Sequence, residues 1–295
     1  MVIVIVTYNS ADVVAGLLDS LPAGVGDLAT EVVVVDNGST DGTVALLTAR
    51  GDCRVVQDTN RGYSAGINRG VEAAGDAPAV LILNADVRLT PGSVPPLLAA
   101  LERPEVGIVA PRVVDGAGRL HPSLRREPSL LRVLGLTRTG VPALSEYVTA
   151  PAEYDRAHDV DWALGAALLV RRACHDALGG WDESYFLYSE ETDLSLRARD
   201  HGWVTTYVPG ATVVHLEGAS GRSPRTYAMQ AVNRVRLYRR RHGALASWCY
   251  LGLVTGREAL RVVTGDRSAA PVVAALVRPS ARPAELGCSD RLLPS

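Results

Sequence analysis

The chain contains no lysine; all 30 of its basic residues are arginine. This excludes chemistry that needs an amine side chain, such as Schiff-base catalysis, a P-loop lysine or a kinase lysine. The four cysteines, Cys53, Cys174, Cys249 and Cys288, stand alone. Without a Cys-x-x-Cys pair, neither a zinc knuckle nor a thioredoxin-type motif is expected. There is no Gly-x-Ser-x-Gly elbow, and the glycines at 62, 66 and 70 do not make a Gly-x-Gly-x-x-Gly fingerprint. The N-terminal MVIVIVTYNS has no basic region and does not read as a signal peptide. The apolar stretch 244–256 is too short to span a bilayer. Together these absences lead to the expectation of a cytoplasmic protein, free or peripheral at the inner face of the membrane. No internal repeat is found.

The remaining composition is that of a globular chain. Its 295 residues are 47% hydrophobic and 21% charged, enough for one large domain or two small ones. A net charge of −2 conceals an asymmetry. Residues 1–218 hold 17 Arg against 28 Asp and Glu, whereas residues 219–295 hold 13 Arg against 4. A basic tail on an acidic body either packs on that body or meets an anionic partner.

Apolar runs at 2–6 (VIVIV), 32–35 (VVVV), 54–57, 79–83 (AVLIL) and 106–110 read as strands. Helical stretches separate them: 11–21, capped by Ser10 or Asp12, then VALLTA, then VEAA after the Gly-rich GYSAGINRG, then a helix opened by Pro91. Strands without in/out alternation, joined by helices, predict an α/β fold whose mostly parallel sheet is covered on both faces. Ligands of such sheets sit beyond the carboxyl ends of the strands. Thr7-Tyr8-Asn9, Asp36-Asn37-Gly38-Ser39 and Asn84-Ala85-Asp86 fall there. Residues 115–160 are irregular, a lid or a surface excursion. Residues 163–170 form a strand or buried segment, 204–208 and 211–215 two short strands, and a helix from 226 stops near Gly243.

Several residues are chemical candidates. Asn84 and Asp86, two apart on an extended strand, point the same way and suit a hard divalent cation; the alternative is that Asp86 caps the next turn. Asp36 can accept a base N–H or a ribose hydroxyl. Glu190, Asp193 and Arg197 share a helix face, and Glu191 points elsewhere. With Glu183 they form a carboxylate patch beside Trp181, Tyr185, Phe186 and Tyr188. These aromatics could stack on sugars and lower the local dielectric, raising a carboxylate's pKa toward that of a general base. The alternative is a solvated helix start rich in acidic residues. His215, followed by Glu217 and Gly218, is either structural or a ligand.

The ordered segments VIVTYN, VVVVDNGSTDGT, NRGYSAGINRG, LILNADV, WDESYFLYSEETDLSLR and VVHLEGAS resemble glycosyltransferase family 2, in its rhamnosyltransferase-like branch, over roughly residues 2–220. The resemblance implies a GT-A fold: a Rossmann-like, mostly parallel central sheet flanked by helices. The expected organisation is a transferase domain at 1–220, with a nucleotide-sugar half at about 1–112 and an acceptor half at about 113–220. A basic, largely helical C-terminal extension follows at 221–295. The implied reaction is an inverting, Mg²⁺- or Mn²⁺-dependent transfer of a sugar, a deoxyhexose such as L-rhamnose foremost, from a nucleotide-sugar. A dTDP- or UDP-sugar ranks ahead of a GDP-sugar. The acceptor would be a hydroxyl of a glycan, a lipid-linked sugar or a small molecule. Thr7, Asn9, Asp36, Asn60, Arg61, Gly62, Asn68 and Asn84 would bind the nucleotide, and Asp86 and His215 the metal. Glu191 stands where the family has a catalytic Asp, with Asp193 the second candidate for the base. Trp162, Gly165, Trp181, Glu183 and Glu190 would lie on the acceptor side. No nucleic-acid partner is implied. The tail would dock at an anionic membrane or pair in a homodimer. A non-catalytic sugar-nucleotide-binding or scaffold protein and a nucleotidyltransferase are the competing functions.

Overall fold

A computed structural model describes residues 1–216, 223–286 and 292. Strand and helix alternate as β1 (Val2–Thr7), α1 (Ala11–Val25), β2 (Glu31–Asp36), α2 (Thr43–Arg50), β3 (Arg54–Gln57), α3 (Tyr63–Ala73), β4 (Ala79–Asn84), β5 (Val87–Leu89), α4 (Val94–Ala100) and β6 (Val106–Val114). Next come β7 (Leu124–Arg125), a series of short 3₁₀ turns, β8 (His158–Val160), β9 (Trp162–Ala163), β10 (Ala167–Arg171), α5 (Arg172–Ala177), α6 (Glu190–Asp200) and β11 (Val204–His215). Three helices follow: α7 (Pro224–Arg241), α8 (Ala244–Val263) and α9 (Ala270–Val277).

The main sheet runs β3-β2-β1-β4-β10-β6-β11-β5, with β8 also paired to β11. β1 lies parallel to β2 and β4, β2 to β3, and β6 to β11, so most of the paired length is parallel. β10 enters antiparallel between β4 and β6. Successive strand residues face opposite sides, and both sides are covered. Ile3, Ile5, Val34 and Leu81 pack with Leu17 and Leu21 of α1 and Leu97 of α4. Val4, Val35 and Ile82 pack with Ile67 of α3 and Leu194 of α6. This two-sided burial explains why the strands carry no polar alternation.

Several boundaries differ from the sequence-based expectation. The Gly-rich segment is not a lead-in: GYSAGINRG supplies most of α3. A Cβ at Gly70 would lie 2.4 Å from Val4 Cγ1 and one at Gly66 2.7 Å from Val6 Cγ1, so these glycines let the helix sit directly on β1. Pro91 lies in a turn, and α4 begins at Val94 after Ser93. The two strands expected at 204–215 are one strand, irregular between Val208 and Thr212 where its pairing to β6 shifts. Gly243 opens α8, and His242 ends α7. Neither Ser10 nor Asp12 caps α1 through its side chain. Asp41 does so from the next loop, accepting the Ala11 N–H at 3.1 Å while its other oxygen accepts the Thr43 N–H at 3.0 Å.

The C-terminal helices close a third core with Leu130 and Val133. Much of the charge asymmetry is spent in holding them to the acidic body. Arg234 pairs with Glu146, Arg240 with Asp182 at 2.6 Å, and Arg241 with Asp200 at 2.7 Å. The Glu217–Ser220 part of the last sequence segment and Cys288 lie outside the described residues.

Candidate active site

Parallel pairing sets the expected strand ends side by side. Thr7 is in register with Asp36, and Val6 with Asn84. Asp36 is 1% exposed. Its Oδ2 accepts Thr7 Oγ1 at 2.9 Å and the Ser39 hydroxyl at 2.5 Å, and its Oδ1 accepts the Ser39 N–H at 2.9 Å. Asn9, at φ 50°, accepts the Thr40 N–H through Oδ1 at 2.8 Å, and its own N–H donates to Ser39 Oγ at 2.8 Å. The first and second strand ends are therefore one hydrogen-bonded unit.

The link to the third end is a residue that the sequence-based reading passed over. Gly62, at φ 103°, has no room for a Cβ, which would lie 2.5 Å from the Phe186 carbonyl oxygen. Asn37 donates to the Gly62 carbonyl at 3.0 Å, and Asn60 accepts the Gly62 N–H at 3.2 Å. The chain then turns Tyr63 inward, where its hydroxyl donates to Asn84 Oδ1 at 2.6 Å. Burial, aided by the charges of Glu190, Glu191 and Asp86, pushes the Tyr63 phenol well up, so it stays protonated and a donor. Tyr63 is thus the hub among the expected nucleotide, metal and base residues.

Asn84 and Asp86 do not lie on one extended strand. β4 ends at Asn84, and Asp86 sits in the turn before β5. Antiparallel pairing of β5 with β11 places His215 opposite Val87, which brings its Nε2 to 3.3 Å from Asp86 Oδ1. His121 meets His215 edge-on, with ring centroids 6.3 Å apart. His215 Nδ1 is buried without a partner. The Asp86 carboxylate and the His215 Nε2 that faces it are a donor set that fits a divalent cation taking its other ligands from phosphate and water. Among the described residues no group of three or more His, Cys, Asp or Glu is arranged to hold an ion by itself.

Glu190 and Glu191 open α6 directly after two left-handed residues, Tyr188 at φ 70° and Ser189 at φ 75°. Such backbone is costly for non-glycine residues and persists where its surroundings hold it. Asn233 of α7 supplies the hold, donating to the Leu187 and Tyr188 carbonyls at 3.0 and 3.1 Å. Glu191 accepts the Gly165 N–H, and a Cβ on Gly165 would lie 3.4 Å from Glu191 Cβ. Oε2 of each glutamate is buried without a partner. Burial raises the pKa of both, and for Glu190 the neighbouring Glu191 adds to the rise. Near Glu191 lies Arg125, 8% exposed, its guanidinium 4.0 Å from the Tyr147 ring centre. Its charge favours the ionised Glu191.

Other expected site residues are placed differently. Asp193 is engaged by Arg197 Nε at 2.6 Å, and Arg197 also donates to the Leu178 and Gly180 carbonyls, so the pair fastens α6 to the preceding loop. Asn68 exchanges two hydrogen bonds with the Trp181 backbone, both at 2.9 Å, and donates to Glu183 at 3.0 Å. Arg61 bridges Asp58 and Glu183. Trp181 and Tyr185 are core residues, 2% and 0% exposed, and Phe186, Leu187 and Tyr188 pack on the C-terminal helices. Of the aromatics that invited a sugar-stacking role, Phe186 and Tyr188 therefore belong to the seam with the C-terminal helices, and Trp181 to the core beneath the sheet. Trp162 donates its indole N–H to the Arg126 carbonyl at 3.1 Å and presents its ring to Arg125 at 5.9 Å.

The Glu190 shift has a measurable consequence. Below its ordinary value of 4.5 the folded and unfolded chains both hold the proton; above it the unfolded chain releases the proton first, so stability falls as pH rises. Glu190→Gln is expected to raise Tm near pH 8 by a few degrees, about 2–4 °C for each kcal/mol recovered. Near pH 4 it should gain nothing. A gain independent of pH would rule out ionisation as its source.

The architecture is that of a GT-A glycosyltransferase. A solved mannosyltransferase from Pyrobaculum calidifontis, in complex with GDP-Man and Mn²⁺, superposes with a TM-score of 0.57 at 19% identity, over 94% of this chain and 81% of that one. GalNAc-T7 with UDP, GalNAc and Mn²⁺ gives 0.60 at 16% identity, over 80% and 47%. These likenesses concern the fold. In sequence, the glycosyl transferase family 2 profile matches residues 2–149, and that of glycosyl transferase family group 2 matches residues 79–243. The N-acetylglucosaminyl-diphospho-decaprenol L-rhamnosyltransferase of Mycobacterium tuberculosis is 37% identical over 76% of this chain and 79% of its own length. The Haloferax volcanii hexosyltransferase Agl10 is 29% identical over 67% and 61%. The chain belongs to glycosyltransferase family 2 and is a rhamnosyltransferase-like glycosyltransferase.

Proposed function

We propose that this enzyme is an inverting, metal-dependent transferase that moves a deoxyhexose, L-rhamnose foremost, from a nucleotide diphosphate sugar to a hydroxyl of a lipid-linked sugar. The observation that carries the reading is the placement of Tyr63: it follows Gly62, whose carbonyl accepts Asn37 beside Asp36, it donates to Asn84 at 2.6 Å, and it lies in the field of Asp86, Glu190 and Glu191. The rhamnosyl donor and diphospholipid acceptor are suggested by the mycobacterial relative's name.

In this reading the 1–112 half holds the donor and the 113–220 half the acceptor. Thr7, Asn9 and Asp36 receive the nucleoside. Asp86 and His215 would hold Mg²⁺ or Mn²⁺, which when bound neutralises charge on the diphosphate. The unpartnered Oε2 of Glu191 accepts the proton of the acceptor hydroxyl as that oxygen attacks the anomeric carbon. Burial places this carboxylate's pKa nearer the working pH, and the Gly165 N–H orients it. Bond formation opposite the leaving diphosphate inverts the centre in one displacement. Asp193, spent on Arg197, is left to position α6.

Thermal shifts with dTDP, UDP, GDP and CDP, each with and without Mn²⁺, test the reading. One nucleotide should stabilise the protein only with metal, by about 2.7 kcal/mol at a hundred times its Kd. Asp86→Ala should abolish that shift. No shift with any nucleotide would favour a non-catalytic scaffold.

A further inference from the structure

We infer that the outer face of α8 is a docking surface for an anionic lipid bilayer. α8 has 20 residues, so it is about 30 Å long. Its inner face holds Tyr250 and Val254 in the C-terminal core. Its outer face is apolar as well: Leu245 is 80% exposed, Trp248 57%, Leu260 62% and Val263 83%. At 100° per residue these four, with Cys249, Gly252, Gly256 and Ala259, fall within an arc of about 120° that holds no charged residue. Exposed apolar area of this extent marks a contact surface. The exposed Leu131 and Leu136 belong to the adjoining loop, which is tied to α8 by Arg257 donating to the Val133 carbonyl at 3.2 Å.

Charge selects the occupant. Arg257 and Arg261 lie outside the arc, toward the inner face, where they pair with Glu258 and Asp266. Arg267 and Arg278, exposed nearby in the chain, make no ion pair among the described residues. With Arg234, Arg240 and Arg241 of α7 engaged by the acidic body, residues 244–286 still carry five Arg against three acidic residues. An apolar stripe bearing Trp and Leu, followed in the chain by exposed arginines without ion pairs among the described residues, suits a helix lying at the headgroup boundary of an anionic membrane. No described helix is long and apolar enough to cross a membrane, so α8 would lie on it. The loop beside α8 leads to Tyr147 and Arg125 at the acceptor side, so docking on this face would present the site to an acceptor held in the bilayer. That last consequence rests on the proposed function; the docking itself does not.

Sedimentation of the full chain with vesicles tests the inference without reference to turnover. The protein should bind phosphatidylcholine vesicles containing about one-third phosphatidylglycerol, more weakly at high salt and more weakly still without the anionic lipid. Trp248→Ser with Leu260→Ser should lower partitioning by about tenfold or more, with Tm unchanged because both side chains are exposed. Arg267→Glu with Arg278→Glu should remove the salt-sensitive part. Failure of the unaltered protein to bind, or equal binding by the Trp248/Leu260 variant, would overturn the inference. So would a dimer in light scattering that this variant dissolves, which would assign the face to a second copy of the chain.

Discussion

Glu191→Gln is expected to lower kcat by about 10²–10⁴-fold, the usual contribution of a positioned general base. Nucleotide-induced stabilisation should survive, because Asp36 is held by Thr7 and Ser39 and not by Glu191. The amide keeps the carboxylate's shape and can still take the Gly165 N–H, but it cannot accept the acceptor's proton. The contrast with Asp193→Asn makes the test decisive. Asp193 is bonded to Arg197, which in turn holds the Leu178 and Gly180 carbonyls. Breaking that buried pair should cost stability, about 3–5 kcal/mol if Arg197 is left uncompensated. The folded fraction should keep kcat within a few-fold. If Glu191→Gln turns over normally and Asp193→Asn does not, the base assignment is reversed. The pH profile gives a further check. Activity should rise with pH as Glu191 ionises, at a pH above the ordinary carboxylate range because burial raises its pKa.

The first strands and their polar ends were legible in the sequence because their determinants are local. Runs such as VVVV can only be two-sided buried strands, and a polar residue closing such a run must stand at the sheet's ligand edge. Parallel pairing then aligned Thr7, Asp36 and Asn84 without further information. What stayed hidden depends on contacts between distant segments. The grouping of Asp86 with His215 came from the family resemblance and not from the residues themselves, which meet only because β5 and β11 pair antiparallel. Tyr63 looked like one more residue of a Gly-rich stretch, and its inward turn follows from the Gly62–Phe186 approach. Asn233 was given no role; its signal was an amide amid the apolar side of α7, where it needs a partner. The aromatics of SYFLY misled for the same reason. Their composition suits a sugar platform, yet it equally suits a seam to three helices, and only the packing distinguishes the two.

Asp36→Asn is expected to weaken nucleotide binding by more than tenfold and to lower Tm. Both effects follow from counting lone pairs. An ionised carboxylate offers about four acceptor sites. Three are taken, by the Thr7 hydroxyl and by the N–H and hydroxyl of Ser39. The fourth remains for a donor on the nucleoside. Asparagine replaces one oxygen with an amide nitrogen that can only donate. Placed at Oδ2, this nitrogen would face two hydroxyls, which can turn to accept. Placed at Oδ1, it would oppose the Ser39 N–H and present a donor to the incoming one. Either way an acceptor is lost, and a buried polar group left unpaired costs about 1–3 kcal/mol. Ser39→Ala separates architecture from recognition, because it removes the hydroxyl bonded to Asp36 and Asn9 but leaves the carboxylate. It should lower Tm with nucleotide affinity held within a few-fold. Titration of the stabilising nucleotide against both variants is the measurement. If Asp36→Asn binds as the unaltered protein does while losing stability, Asp36 is a brace for the loop, and the nucleoside is recognised by other groups at the sheet edge.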